Sequence, residues 1–245
     1  MRKLFIIIFL ILSLSGCATL YNPATGRNEI ILIDTKEEIS LGRDLDNQVK
    51  KDFKILKDRL MQERLDNIGK RVSAASDRKD LKYTFSIIKD DEFNAFAIPG
   101  GFVYVNSGLI NEANDDELAA VLAHEIGHIA ARHSVKRLQA NMGYQILLNI
   151  ALGKDKAGAI SEALNITYNV IALGFSRQDE FLADKLSVKY SYAAGFNPYG
   201  MVTFFRKLEG NKKPGAELVF LSSHPPIKDR IERVEKEIAL LKQVD

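Results

Sequence analysis

His124-Glu125-Ile126-Gly127-His128 stands inside a strongly helical run from Asp115 to Gln139. On an α-helix, at about 100° per residue, positions 124 and 128 lie about 40° apart on one face. Two imidazoles placed there can bind one tetrahedral metal ion, and zinc suits nitrogen donors in that geometry. Glu125 projects about 60° to the side of His128. That is too far round for a good ligand, but well placed to take a proton from an attacking water. Leu118, Leu122, Ile126 and Ile129 form an apolar stripe roughly opposite the histidines. Ala120, Ala123, Gly127 and Ala131 lie beside them, and small side chains let another backbone approach, as a peptide substrate must. His133, about 180° round the helix from His124, falls with the apolar stripe and is expected to be a core histidine rather than a ligand.

A five-residue pattern with two free positions recurs by chance, so the rest of the chain has to complete the site. A catalytic zinc takes three protein ligands and leaves one position for water. Glu180 is the best third donor. It begins a second helix, opened by Ser176-Arg177-Gln178-Asp179, and Asp184 follows it at i+4 on the same face. A carboxylate there can accept the second N–H of a ligand histidine and fix its tautomer.

The 245-residue chain is long enough for one sizeable domain or two small ones, and its 46% hydrophobic and 27% charged residues are ordinary for a globular protein. Its formal charge of +2 is matched by Arg2 and Lys3, both expected to be removed, which leaves a neutral chain. Neither composition nor motif points to nucleic acid or a nucleotide cofactor. Arg2-Lys3 and the apolar run Leu4 to Leu14 read as a secretory signal, too short for a comfortable membrane span. Leu14-Ser15-Gly16-Cys17 resembles a bacterial lipobox, and Cys17 is the only cysteine. The expected division is a signal peptide over 1–16, a lipidated tether over 17–27 and one domain over 28–245. Diacylated Cys17 would anchor the chain in the cell envelope, with Ala18 favouring the periplasmic face of the outer membrane.

Glu29 to Ile33 reads as a short strand, and Thr35-Lys36-Glu37-Glu38 as a capping box opening a helical region to about Ala75. Its dense mixed charges read as a solvated face. Tyr83, Phe85 and Ile87 alternate as a half-buried strand. Phe93 to Ile98, the break Pro99-Gly100-Gly101 and Phe102 to Val105 read as a hairpin or bent pair of strands. It either completes a small sheet or offers an edge that captures an extended peptide. The uncharged runs within 138–176 read as a helical hairpin, either a core pair or a mobile or membrane-touching lid. Asn197-Pro198 opens a further helix, and the last carries Ile227, Ile231, Val234, Ile238 and Leu241 on one face.

His124-Glu125-Ile126-Gly127-His128, Asn94-Ala95-Phe96-Ala97-Ile98-Pro99-Gly100-Gly101, Glu180 to Asp184 and His224-Pro225 together resemble the M48 metallopeptidases. These are gluzincins that include the Ste24, HtpX and Oma1 groups and compact periplasmic lipoproteins. The resemblance runs from about Thr35 to the C-terminus. It implies a mostly helical α+β fold and one zinc ion held by His124, His128 and Glu180. Glu125 would be catalytic, Asp184 would stand behind the ligands, and Asn94, Ala95, Phe96 and Ala97 would form the edge strand lining the cleft. The implied activity is endopeptidase cleavage of envelope polypeptides. His224, in Ser222-Ser223-His224-Pro225-Pro226, has three roles open: structural, stabilising the oxyanion, or occupying the open zinc position in a latent state. The resemblance places it near the cleft, where a catalytic role is expected. Arg177 and Arg230 are candidate oxyanion donors or helix-end ion pairs.

Overall fold

A computed structural model of the chain describes residues 19–141, 174–210, 224, 227–241 and 243. The signal segment, Cys17, residues 142–173 of the expected helical hairpin and the prolines after His224 lie outside the described residues. In chain order the elements are β1 (Thr19–Asn22), β2 (Arg27–Ile30), α1 (Thr35–Asp52), α2 (Arg59–Ala75), β3 (Thr84–Ile88), β4 (Ala95–Ile98) and β5 (Phe102–Asn106). There follow α3 (Ser107–Glu112), α4 (Asp115–Ala130), α5 (His133–Asn141), α6 (Arg177–Ala193), α7 (Gly200–Gly210) and α8 (Ile227–Leu241). The result is a mostly helical α+β arrangement.

Helix α4 is the element the others pack around. Asn114 caps it in a capping box with Glu117, and Asp115, Asp116 and Glu117 place negative charge at its positive end. Every residue from Glu117 to Ala130 is buried, so α4 is covered all round rather than along one stripe. Helices α2, α6 and α7 and strand β4 pack on it. It ends sooner than the sequence pattern suggests. Arg132 takes φ 56, a left-handed conformation that breaks the helix before α5 begins at His133.

The larger sheet has the order β3-β5-β4, with β3 parallel and β4 antiparallel to β5. The β4–β5 hairpin turns through Pro99-Gly100-Gly101, where both glycines have positive φ, +82° and +98°. A Cβ on Gly101 would meet the Lys82 carbonyl oxygen at 2.7 Å, so the turn needs glycine there. The outer edge of β3 is bonded to the α1–α2 connection, through Leu56 N to Ile87 O and Lys89 N to Lys54 O, each 2.8 Å. Among the described residues nothing pairs with the outer edge of β4. Asn106 N donates to Asn94 O at 2.9 Å, and antiparallel alternation then turns the peptide groups of Ala95 and Ala97 towards that edge.

Several boundaries differ from the sequence reading. The turn-rich stretch expected as a tether is the turn of a β-hairpin from Thr19 to Ile30, in which Asn22 to Gly26 brings Thr19 opposite Ile30. It is pinned to α5, where Lys136 pairs with Glu29 and Gln139 bonds to Leu32 N and Ile30 O. The cap of α1 is Asp34, one residue earlier than expected, in a box with Glu37. Its charges are not all solvated either. Glu38 is buried between Arg78 at 3.1 Å and Arg132 at 3.2 Å. Helix α8 docks as its spacing predicts, with Val234 and Ile238 fully buried.

Candidate metal centre

Two helices bring the site together. Helix α4 supplies His124, Glu125 and His128, and α6 supplies Glu180 and Asp184. Ser176 caps α6 in a capping box with Asp179, which fixes where its first turn begins and so where Glu180 stands. The small residues of α4 allow the two helices to close. A Cβ on Gly127 would come within 3.1 Å of Leu186 Cβ and 3.2 Å of the Ala183 oxygen. Ser187 Oγ donates to the Ala120 carbonyl at 2.7 Å. The backbone that approaches this face is therefore that of α6, not a substrate as the sequence suggested.

Nε2 of His124 and Nε2 of His128 lie 3.0 Å apart. Glu180 Oε2 is 3.5 Å from the first, and Oε1 is 3.4 Å from the second. His224 Nδ1 completes the group, 3.4 Å from His124 Nε2 and 3.0 Å from each oxygen of Glu180. All four residues are buried. Around a tetrahedral ion with bonds of about 2.0–2.2 Å, donor atoms stand about 3.3 Å apart. The three nitrogens and one carboxylate thus fit a metal ion in both spacing and donor type. Glu125 lies alongside, its Oε1 buried without a hydrogen bond and 3.6 Å from His224 Nε2. The structure thus brings together every proposed ligand, the proposed base and His224.

Behind the donors, Asp184 Oδ1 lies 2.9 Å from Nδ1 of His124. Arg230 holds that aspartate from α8 and reaches Glu180 Oε2 with Nη1 at 3.0 Å. It is committed to an ion-pair network rather than offered as an oxyanion donor. Its partner in the sequence reading, Arg177, is exposed. His133 is buried and outside the donor group, as expected, but it does not lie on the far side of the helix. Because α4 stops at Ala130, the angular argument does not carry past Arg132, and His133 Nδ1 sits 2.8 Å from Nδ1 of His128. The ring of Phe175 stacks on His128 from another side, with centroids 4.0 Å apart. Phe175 and the site roles of Arg230 and His133 were missed. The signal for Arg230 was present: it lies four residues before Val234 on the apolar stripe of α8.

The electrostatics favour a cation. Burial opposes ionisation of Glu180, but attraction to His224 and hydrogen bonds with His124, His128 and His224 hold its carboxyl well below the usual range. Burial likewise opposes charge on Asp184, and the Arg230 guanidinium overcomes it. In His124 burial is outweighed by Asp184 and Glu180, which hold the imidazole up to about 9. Burial pushes His128 down to about 3 despite its contact with Glu180. The Nε2 side of the His124 imidazole faces Glu180, and a metal ion there would take the place of its proton. Burial raises the Glu125 carboxyl, which suits a base.

The match to known families decides what such a centre belongs to. Residues 59–238 match the family described as Peptidase family M48. The chain belongs to peptidase family M48. This M48 chain is 34% identical over 170 residues to the mitochondrial metalloendopeptidase OMA1 of Schizosaccharomyces pombe, covering 68% of this chain and 50% of that one. It is 27% identical over 197 residues to the beta-barrel assembly-enhancing protease of Escherichia coli, covering 76% and 40%. To the metalloprotease LoiP of Escherichia coli it is 28% identical over 174 residues, covering 70% and 68%. The chain therefore spans half or less of the first two relatives and about two thirds of the third. The family's description is that of peptidases, and the printed names of OMA1 and LoiP are those of metalloproteases.

Proposed function

We propose that the chain is a zinc-dependent endopeptidase of the bacterial cell envelope that cleaves misfolded or misassembled envelope polypeptides. The observation that carries this is the convergence of His124 Nε2, His128 Nε2 and Glu180 beside Glu125. His124, His128 and Glu180 would hold the ion. When bound, zinc polarises the scissile carbonyl and lowers the pKa of the attacking water. Glu125 takes the proton from that water and passes it to the leaving amine. Asp184 keeps Nδ1 of His124 protonated and so directs its Nε2 lone pair at the ion. The open edge of β4, with the peptide groups of Ala95 and Ala97 facing outwards, adds a strand of substrate. Asn94 and Phe96 flank that register, and the half-buried ring of Phe96 is held by stacking on Tyr104. The envelope location rests on the lipobox at Cys17, which anchors the chain to the periplasmic face of the outer membrane. The name of the beta-barrel assembly-enhancing relative agrees with it. No helix among the described residues is long and apolar enough to cross a membrane.

His224 favours a second reading of the same centre. Its Nδ1 stands where a fourth donor would, 3.0 Å from both oxygens of Glu180. In that arrangement the enzyme is largely latent and acts as an assembly or quality-control factor until His224 withdraws. Zinc bound per mole of full chain tests the shared foundation: one equivalent for the native protein and a large loss in Glu180→Gln. Equal zinc in both would remove Glu180 from the ligand set.

A further inference from the structure

His133 is a buried titratable side chain beside the centre that none of the steps above uses. Its Nδ1 is 2.8 Å from Nδ1 of His128, and its Nε2 is 3.5 Å from Asp179 Oδ1. Nε2 of His128 faces the other donors, 3.0 Å from His124 and 3.4 Å from Glu180. A ligand imidazole must present a lone pair at Nε2, so its single proton sits on Nδ1. His133 Nδ1 is then the acceptor, and the proton of His133 is left on Nε2, towards Asp179. Each tautomer is set by the group beyond it. His124 is served in the parallel way by Asp184 at 2.9 Å.

We propose that His133 is a positioning residue for the metal ligand His128: it accepts the Nδ1 proton of His128 and thereby fixes both the tautomer and the ring plane that aim Nε2 at the ion. The proposal rests on the reading of His128 as a ligand. The backbone is built to allow it. An uninterrupted helix would carry His133 away from His128, and the left-handed Arg132, φ 56, redirects the chain instead. The Arg132 side chain anchors that turn to the start of α1, donating to Ile33 O at 3.3 Å and Thr35 Oγ1 at 2.9 Å and pairing with Glu38 at 3.2 Å. Phe175 clamps the other side of the His128 ring. An imidazole is also the acceptor that adds no fourth carboxylate to a pocket already holding Glu125, Glu180 and Asp184.

The test measures zinc affinity of the full chain by competition with a chromophoric chelator, for the native protein, His133→Phe and His133→Gln. Phenylalanine keeps a buried ring without an acceptor, and glutamine restores an oxygen acceptor. His133→Phe should lose about 10–100-fold in zinc affinity, the usual effect of removing such a partner, and His133→Gln should recover most of it. Metal-free melting of both variants should match the native chain. A His133→Phe protein that binds zinc as tightly as the native chain overturns the proposal, as does a His133→Gln protein no better than it. A native chain without zinc affinity would sink the metal-site reading itself. One readout needs no variant: in the zinc-loaded, ¹⁵N-histidine-labelled native protein, the proton of His128 should reside on Nδ1 and exchange slowly with water. A proton on Nε2 would overturn the assignment.

Discussion

Arg230 holds Asp184 with two hydrogen bonds of 2.7 Å, Nε to Oδ2 and Nη2 to Oδ1, and both residues are buried. The same guanidinium faces Glu180 and lies over the ring of Phe205. It therefore ties α8 to Glu180 and Asp184, the two carboxylates of the candidate metal centre. Removing it strands those carboxylates in a dry site. Arg230→Leu should destabilise the metal-free chain by about 3–5 kcal/mol, as for one partner taken from a buried pair. Urea unfolding followed by circular dichroism reads this, and an unchanged midpoint would show that the pair contributes nothing.

Gly127 sits in the contact between α4 and α6, with Leu186 and Ala183 at 3.1–3.3 Å from any added Cβ. Gly127→Val should cost about 1–3 kcal/mol through overpacking. By moving α6 outwards it should also weaken zinc binding through Glu180. Gly127→Ala should be the milder of the two. Chelator competition on both variants checks the order, and native zinc affinity in Gly127→Val would mean that the helix spacing does not set the centre.

Glu38 is the sole buried acid between Arg78 and Arg132 among the described contacts, at 3.1 and 3.2 Å. Glu38→Gln leaves two buried guanidinium groups without that countercharge and should lower stability by about 3–5 kcal/mol. Because Arg132 sets the direction of the chain into His133, zinc affinity should fall with it. A thermal melt beside a zinc titration separates the two effects, and a variant unchanged in both would contradict this role.

His224 distinguishes an open centre from a closed one. His224→Ala should raise cleavage of unfolded casein while zinc stays at one equivalent per chain. Turnover that stays low while zinc binding weakens would show that His224 only strengthens the metal site.

Much of this centre was legible because helices are periodic. The i, i+4 spacing put His124 with His128 and Glu180 with Asp184, and Ser176 marked where the second helix starts. The strand pattern likewise announced β3 and the β4–β5 hairpin. Periodicity failed where the chain left its regular path. Arg132 carries no residue-type signal for a left-handed turn, so the angle assigned to His133 was wrong. The small residues of α4 were recognised, but sequence alone could not say whether a substrate or α6 would occupy the space they leave. Arg230 and Glu38 lie in helices rich in charge, and only packing separates a buried ion pair from a solvated one.

In the proposed mechanism Glu125 performs the proton transfer at a zinc centre built by His124, His128 and Glu180. The most direct measurement is casein cleavage by the full chain and by Glu125→Gln at equal zinc content, in the native and His224→Ala backgrounds. Glu125→Gln should retain one zinc per chain and lose about 10²–10⁴-fold in turnover, the range for a removed general base. A zinc-loaded Glu125→Gln protein that cleaves casein at the rate of its parent would contradict that mechanism.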